Sequence, residues 1–349
     1  MRFLNAEFSP RELRALLGPA AHALRRPERL ANQAAAAASM LTLRTRVRGM
    51  PWAVQVEPSA ACNLRCPMCA SVLPDARRPA LLDMALFSRL LADVGYRALI
   101  LSLWNWGEPL LHPDLPAMVA AGAERGLLTA LTTNGLLLDE ERSEALIRAG
   151  LVLMTVSLDG ADAATYQAVH GSDEFGRVTA NLARFLAVRT RLGSRLPLVE
   201  LKMVLTRDTE NDMPAFHRLS RELGADRVRF RRLVWAHDAN LERLAPQRAE
   251  LRRPHGIVPS RFRVPCDRPW MSTVVLAGGE VVPCCADTKG EFVMGHLADP
   301  GGLPALWNGS RYQEFRRRLL TDPRGISICA TCPAASFQGD TWDGPERLG

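Results

Sequence analysis

The chain has 349 residues, and a hydrophobic content of 47% is enough for one large domain and a smaller one. No apolar run approaches the roughly 18 residues of a membrane span, and the first residues lack the apolar block of a signal peptide, so a cytoplasmic protein is expected. The net charge is +7, but no basic run interleaves with aromatic residues. This pattern argues against nucleic acid and leaves a solvated basic surface, an anionic substrate or an acidic carrier.

Segment 1–50 is predicted to be helical, and six short apolar runs then alternate with helical patterns across residues 51–235. The apolar runs are 53–56, 98–103, 128–132, 151–157, 199–205 and 227–234. The helical patterns between them are 84–94, 115–125, 140–148, 178–191 and 214–223. Such alternation predicts an α/β fold with a parallel sheet and right-handed crossovers. Residues 236–265, rich in Pro and Arg, are predicted to be a linker.

Three cysteines at the spacing C-x3-C-x2-C, Cys62, Cys66 and Cys69, follow the first apolar run. Three soft ligands with no fourth beside them suit a cubane [4Fe–4S] cluster that keeps one iron open. The alternatives are a zinc site, which prefers four ligands, and unligated core cysteines. Because the loop follows the first strand, it is expected at the carboxyl end of the sheet, where such folds place their chemistry.

This loop resembles the signature of the radical S-adenosylmethionine (SAM) superfamily. The resemblance implies a partial (β/α)6 TIM-like barrel over residues 51–235 and an open iron that is chelated by SAM. It also implies reductive cleavage of SAM to methionine and a 5′-deoxyadenosyl radical, with a flavodoxin- or ferredoxin-type electron donor. Met68 stands where the family usually has an aromatic residue, and its backbone remains available to the adenine.

Further motifs resemble the family positions that line SAM. In Trp106-Gly107-Glu108-Pro109, which resembles the family's Gly-Gly-Glu-Pro, Glu108 is expected to accept hydrogen bonds from the SAM amino group. Gly107 is expected to allow a close backbone approach. Considered without the resemblance, Glu108 is an ordinary glutamate in a turn at the end of a strand.

Polar residues after the third to fifth strands extend this predicted pocket. Asn134 and Ser157 are expected to hydrogen-bond a carboxylate or ribose, and Arg207 is expected to pair with the methionine carboxylate. Each is also compatible with a turn or cap residue. His112 and His170 are interpreted as loop histidines that ligate nothing.

The other five cysteines are all C-terminal. Cys266, Cys284, Cys329 and Cys332 make a complete four-thiolate set, which suits an auxiliary [4Fe–4S] cluster that transfers electrons. A four-cysteine zinc site is the alternative. Residues 273–276 and 280–282 are predicted to form a β-hairpin, and 312–320 a helix.

This C-terminal region, taken as residues 266–349, resembles the SPASM/twitch auxiliary domain of radical SAM enzymes in its single-cluster twitch form. The motifs that carry the resemblance are Pro265-Cys266, Pro269-Trp270, Gly278-Gly-Glu-Val-Val-Pro-Cys284-Cys285, Leu306-Trp-Asn308 and Cys329-x2-Cys332.

Twitch enzymes of antibiotic biosynthesis imply a carbohydrate-like small molecule as substrate: a sugar, an aminocyclitol or a similar polyol. Cys285 is the one cysteine outside the two sets, and it is either a small core residue or a hydrogen-atom donor to the substrate. As a donor it predicts epimerisation.

The alternatives are dehydrogenation of a secondary alcohol on the same substrates, maturation of a ribosomal peptide, and a non-catalytic electron carrier. Residues 1–48 lack the strand pattern of the leader-binding domain usual in peptide maturases, which argues against that alternative. Candidates for the substrate pocket are Arg229, Arg231, Arg232, Trp235 and His237.

Overall fold

A computed structural model of the protein describes residues 10–73, 76–233, 239–252, 266–330 and 332. The described strands are β1 Ala53–Val56, β2 Ile100–Leu103, β3 Leu128–Thr133, β4 Leu153–Ser157, β5 Leu198–Leu205, β6 Arg227–Arg232, β7 Ser272–Val275, β8 Glu280–Val282 and β9 Gly295–His296. They form one sheet in the order β6-β5-β4-β3-β2-β1-β7-β8-β9. All pairings from β6 through β1 to β7 are parallel, and the last two are antiparallel.

Helices follow most of the parallel strands. The described α-helices are α1 Pro10–Leu24, α2 Pro27–Leu41, α3 Met84–Val94, α4 Leu115–Glu124, α5 Glu140–Arg148, α6 Ala163–His170, α7 Phe175–Arg191, α8 Met213–Leu223, α9 Ala239–Leu244, α10 Arg268–Met271, α11 Gly302–Trp307, α12 Ser310–Thr321 and α13 Ser327–Ala330. None of these helices has both the length and the apolar character needed to cross a membrane.

The two faces of the sheet differ in chemistry. Along β5, Leu201 and Met203 are buried in the main hydrophobic core together with side chains of the helices. Glu200 and Lys202 point to the opposite face, because successive side chains of a strand alternate. Thr155 and Ser157 of β4 are their register partners. The fold is therefore an open partial (β/α)6 TIM-like barrel whose inner face is polar at this position.

All six predicted barrel strands and the five predicted helices between them are present, with shifts at their ends. β2 and β4 each begin two residues after the start of the apolar run, because burial starts at Ala98 and Leu151 and strand pairing starts only at Ile100 and Leu153. Helix α6 was not predicted. It has only eight residues, and a capping box between Asp162 and Thr165 starts it. Residue 234, in the last apolar run, lies outside the described residues.

The predicted C-terminal hairpin is present, and it extends the barrel sheet. β7 and β8 pair antiparallel, and Gly279 in their turn has a φ of +94°, which a glycine adopts without strain. β7 also pairs in parallel with β1, from Ala53 opposite Ser272 to Val56 opposite Val275. The hairpin of the C-terminal region thus continues the strand that leads into the Cys62–Cys69 loop.

The N-terminal segment forms two helices, as predicted, and hydrogen bonds fasten it to the rest of the fold. Arg29 of α2 is fully buried and donates hydrogen bonds to the carbonyl oxygens of Gly126 at 2.7 Å and Arg125 at 2.6 Å. The buried Arg316 of α12 donates to the carbonyl oxygen of Thr45 at 2.8 Å. Part of the predicted linker is also folded, since α9 lies within it and the carbonyl oxygen of Leu244 accepts a hydrogen bond from the backbone after β5.

Candidate active site

The cysteine loop lies directly after β1, at the carboxyl end of the sheet as expected. The backbone N–H of Cys69 donates to the carbonyl oxygen of Cys66 at 2.9 Å, which closes a tight turn around the half-buried Met68. Loss of contact with water raises the pKa of Cys62 and Cys66, and neighbouring thiols of the set raise both further. The loop therefore gathers three soft ligands that become stable thiolates when bound to cationic iron.

Glu108 lies at the start of the 3-10 turn Pro109–Leu111 and is 2% exposed. Its carboxylate accepts hydrogen bonds from the Thr133 hydroxyl at 2.7 Å, the Asn134 N–H at 2.8 Å and the Leu110 N–H at 3.0 Å. Burial raises the pKa of Glu108, and no basic side chain of the described residues forms an ion pair with it. A carboxylate has about four acceptor positions, so one remains that an ammonium group can use.

Gly107 is required by the packing of the chain itself. A Cβ at this position would overlap the carbonyl oxygen of Ser59 and lie 2.7 Å from that of Ala61. The next residue, Glu108, donates its N–H to the Ala61 oxygen at 2.8 Å. The close approach that the structure describes is therefore to the segment before the cysteine loop, and an approach of Gly107 to SAM stays a prediction.

Asn134 links the end of β3 to the cysteine loop. Its Nδ2 donates to Oδ1 of Asn63 at 2.7 Å and lies 4.0 Å from Sγ of Cys62. Its Oδ1 accepts the N–H of Leu136 at 3.0 Å. The side chain thus positions the loop, whereas the predicted contact between Asn134 and SAM remains untested.

The strongest candidate for an anion partner is a residue that the sequence analysis did not single out. Lys202 shares the inner face with Ser157, and its positive charge lowers the pKa of Cys66. Among the described residues, Lys202 forms no ion pair. Arg207, the predicted carboxylate partner, is exposed in the turn after β5. Only the alternation of side chains along β5 could have indicated Lys202.

Glu57, another residue that sequence analysis missed, joins three loops at the mouth of the barrel. It is fully buried directly after β1, and both of its oxygens accept hydrogen bonds from Arg77 at 2.6 Å. Its carboxylate also accepts hydrogen bonds from the backbone N–H groups of Trp106 at 3.2 Å and Ala277 at 3.1 Å. A charged residue immediately after an apolar strand was the available signal.

The interpretation of His170 as a loop residue was wrong. It is the last residue of α6 and is 3% exposed, and its Nδ1 lies 3.1 Å from Sγ of Cys66. His112 does lie at the end of a short turn, where its Nε2 is 2.9 Å from the carbonyl oxygen of Leu82. Both histidines are buried, but only His170 contacts the cysteine loop.

The four C-terminal cysteines lie near one another in the fold. The negative charge of Cys332 raises the pKa of Cys266, Cys284 and Cys329 in addition to larger effects, which are desolvation for Cys266 and Cys329 and the adjacent Cys285 thiol for Cys284. No three His, Cys, Asp or Glu side chains of the described residues converge as the ligands of a single metal ion would. A cubane cluster instead binds each thiolate to a different iron.

Cys285 has protein partners on both its backbone and its side chain. Its sulfur accepts a hydrogen bond from Nη1 of Arg268 at 3.0 Å and packs against the small apolar cluster that contains Val274 and Leu276. Its carbonyl oxygen accepts the indole N–H of Trp106 at 3.0 Å. Its backbone therefore lies at the barrel mouth, while its role as a hydrogen-atom donor stays a prediction.

Of the pocket candidates on β6, Arg229 and Arg231 belong to the polar inner face and Arg232 to the other. Nη2 of Arg229 forms an ion pair with the buried Glu200 at 2.8 Å. Arg232 reaches the carbonyl oxygen of Glu250 at 3.5 Å. Trp235 and His237 lie outside the described residues.

Comparison with known families agrees with both cysteine sets. The model of the radical SAM superfamily matches residues 56–216, and that of SPASM, an iron–sulfur cluster-binding domain, matches residues 266–333. The chain belongs to the radical SAM superfamily. Its cofactors are SAM, a SAM-binding [4Fe–4S] cluster and an auxiliary [4Fe–4S] cluster. The donor sets fit these groups, since three thiolates leave one iron open to SAM and four complete the auxiliary site.

Relatives of this radical SAM enzyme include PqqA peptide cyclases. That of Streptomyces rochei is 27% identical over 311 residues, which cover 82% of each chain. That of Gluconobacter oxydans is 32% identical over 205 residues, or 58% of this chain, and the match spans only 55% of the relative's own length.

Among solved structures, the fold resembles Streptococcus suis SuiB bound to its precursor peptide SuiA, with a TM-score of 0.61 and 18% identity over 87% of this chain and 74% of SuiB. It also resembles BtrN in complex with SAM and 2-DOIA, with a TM-score of 0.50 and 19% identity over 81% of this chain and 93% of BtrN. At these identities the likeness establishes the fold alone.

Proposed function

We propose that this radical SAM enzyme modifies a peptide, from which it abstracts a hydrogen atom. When bound, SAM and its cluster supply the 5′-deoxyadenosyl radical that does so. The observation that carries the proposal is the similarity to the Streptomyces rochei PqqA peptide cyclase, because it extends over 82% of both chains and so reaches from the barrel into the C-terminal region. The fold shared with SuiB, which was solved with its precursor peptide, supports the same substrate class.

The residues of the barrel mouth have separate proposed roles in binding SAM. Glu108 accepts a hydrogen bond from the SAM ammonium group, because its buried charge has no cationic partner among the described residues. Lys202 binds the methionine carboxylate in place of Arg207, since Lys202 lies on the inner face and Arg207 is exposed. Ser157, the register neighbour of Lys202, contributes a hydroxyl group, and the electron donor is a flavodoxin- or ferredoxin-type protein.

The open sheet is compatible with a polypeptide substrate. β6 and β9 are its two edges, so among the described strands none closes the barrel. The inner face carries charges of both signs, including Glu200 and Lys202, which suit backbone and polar side chains of a peptide. An extended chain can therefore reach the polar face from the side of the sheet.

A polar small molecule is the second candidate substrate, favoured by the fold shared with BtrN in complex with 2-DOIA. Within this candidate, oxidation has more support than epimerisation. A hydrogen-atom donor must present an S–H bond to the substrate, whereas the Cys285 sulfur accepts a hydrogen bond from Arg268. That sulfur is directed at Arg268 and at the apolar cluster of Val274 and Leu276.

The test is anaerobic turnover of the reconstituted enzyme with two probes. One is a synthetic peptide encoded by the short reading frame nearest to the gene, and the other is a small aminocyclitol. We expect the peptide to stimulate formation of 5′-deoxyadenosine and to lose hydrogen, as mass spectrometry would detect. Stimulation and a product mass change with the aminocyclitol alone would overturn the peptide proposal.

A further inference from the structure

The contact between His170 and Cys66 is a buried interaction that the binding of SAM does not explain. Nδ1 of His170 lies 3.1 Å from Sγ of Cys66, although the two residues are 104 positions apart in the chain. His170 is 3% exposed, so its ring nitrogens have little access to water. Cys66 is one of the three loop cysteines that would hold the SAM-binding cluster.

The surroundings of His170 fix the orientation of its ring. The ring of Tyr166 lies against it, with the centroids 4.4 Å apart. Oδ2 of Asp159 lies 3.5 Å from Nε2, the nitrogen that faces away from the cysteine. The backbone of Leu158 also lies within reach of the ring. The imidazole is therefore held between an aromatic ring, a carboxylate and a cluster ligand.

Asp159 is itself held in an uncommon backbone conformation. Its φ is +51°, in the left-handed region that residues other than glycine seldom adopt. Its Oδ1 accepts the N–H of Val204 at 2.6 Å, and its own N–H donates to the carbonyl oxygen of Lys202 at 3.1 Å. These bonds anchor the carboxylate to β5 and aim its second oxygen at His170. Strain of this kind is typical of functional sites.

We propose that His170 donates a hydrogen bond from Nδ1 to the cluster-bound thiolate of Cys66 and thereby raises the reduction potential of the SAM-binding cluster. A thiolate bound to iron has no proton to give, so the proton between the two atoms belongs to the imidazole. A donor at a ligand sulfur stabilises the reduced cluster, which carries more negative charge. Tyr166 and Asp159 lie against the ring and fix its position beside Cys66.

This inference concerns the iron–sulfur chemistry of the loop and does not depend on the nature of the substrate. It also distinguishes Cys66, whose thiol contacts a distant histidine, from the thiols of Cys62 and Cys69. Among the described residues, the hydrogen-bond contacts of those two thiols come from their own loop or from Asn134. Sγ of Cys69 lies 3.0 Å from the Ser71 hydroxyl, and Sγ of Cys62 lies 3.5 Å from the Leu64 N–H.

The first test uses the full-length protein with both clusters reconstituted and compares His170→Phe with His170→Asn. Phe keeps a ring of similar size without a donor, whereas Nδ2 of Asn takes a place near that of Nδ1. Redox titration followed by electron paramagnetic resonance (EPR) measures both clusters, and the loop cluster is the one whose signal changes when SAM is added. We expect a more negative midpoint potential in His170→Phe and substantial recovery in His170→Asn, with the auxiliary cluster unchanged.

An unchanged potential in His170→Phe with full iron content would overturn the proposal. Equal shifts in the two variants would also overturn it, because they would indicate lost packing in place of a lost hydrogen bond. If His170→Phe does not assemble its cluster, the wild-type enzyme with 15N-labelled histidine and no SAM provides the test. Pulsed EPR should detect a 15N coupling to the reduced loop cluster that disappears in His170→Asn. The absence of that coupling, or its persistence in the variant, would overturn the proposal.

Discussion

The indole N–H of Trp106 donates a hydrogen bond to the carbonyl oxygen of Cys285 at 3.0 Å, and this bond joins the Gly-Glu-Pro motif of the barrel to the C-terminal cysteine region. Glu57 strengthens the same junction, since it accepts the N–H groups of both Trp106 and Ala277. β7 pairs in parallel with β1 in one continuous sheet, so the segments that follow these two strands begin at the same end of the sheet. The two cysteine sets are therefore held by one network and not by separate, loosely joined units.

The iron content should correspond to two cubane clusters. We expect about eight irons per chain after anaerobic reconstitution, because each cubane contains about four. Combined replacement of Cys62, Cys66 and Cys69 by Ala should halve the iron and abolish cleavage of SAM. Cys285→Ala is the matched control and should keep the full complement. Zinc in the C-terminal set, measured by elemental analysis, would contradict the assignment of an auxiliary cluster.

Glu108→Ala should weaken binding of SAM while both clusters still assemble, because the side chain contacts no cysteine ligand through a hydrogen bond. It should also lower the free energy of unfolding by about 1–3 kcal/mol, since buried donors such as the Thr133 hydroxyl lose their acceptor. Glu124→Ala, at an exposed position in α4, is the control. Equilibrium dialysis measures the affinity for SAM. Equal affinities of the two variants would exclude this role for Glu108.

The stabilisation of the protein by SAM should depend on pH through Glu108. Burial raises its pKa, so without SAM the folded protein binds this proton more tightly than the unfolded chain, and the resulting stability is lost as the pH rises through the folded pKa. A bound ammonium group favours the carboxylate and reverses this trend. We expect the rise in Tm on adding SAM to increase from the ordinary carboxyl range towards neutral pH. Glu108→Gln should remove that increase, and a pH-independent rise in the wild type would contradict the assignment.

Lys202→Gln should weaken SAM binding about 10-fold or more, because a charge-assisted hydrogen bond contributes about 1.5–3 kcal/mol. Arg207→Gln should leave the Kd unchanged, since that side chain is exposed in the turn after β5. An iron content equal to that of the wild type would show that both variants remain folded. The reverse ranking of the two Kd values would restore Arg207 as the partner of the methionine carboxylate.

Arg77→Met should destabilise the junction at the barrel mouth by about 3–5 kcal/mol, because it leaves the buried charge of Glu57 without its partner. The ion pair is bidentate, and Arg77 is only 18% exposed. Arg78→Met removes an exposed neighbour of the same type and should have little effect. Thermal unfolding of the reconstituted variants measures the difference, and equal Tm values would mean that the pair contributes nothing.

Product analysis in deuterated water separates epimerisation from the other reactions. An epimerase that uses Cys285 would place one deuterium at the inverted carbon, and Cys285→Ala would still form 5′-deoxyadenosine but lose the epimer. From the contact between Cys285 and Arg268 we expect no such deuterium. Its appearance in the wild type and loss in Cys285→Ala would establish the epimerase.

Much of the fold and of the site was readable from the sequence, because the information is local. The three cysteines of the loop lie within eight residues, so their spacing alone indicates an iron–sulfur ligand set. The alternation of apolar runs with helical periodicity predicts the order of strands and helices, since each signal spans less than about 20 residues. The turn residues at 278–279 likewise predicted the hairpin of β7 and β8.

What only the tertiary structure decided are the contacts between distant segments. No periodicity assigns β7 as the neighbour of β1, or Arg77 as the partner of Glu57. The contact between His170 and Cys66 spans 104 residues. It joins helix α6, which was not predicted, to the cysteine loop, which was predicted from the spacing of its cysteines. Residue types and spacing reveal which side chains can bind iron. Which neighbours surround those ligands depends on how strands and helices pack, and packing brings together residues that share no local pattern.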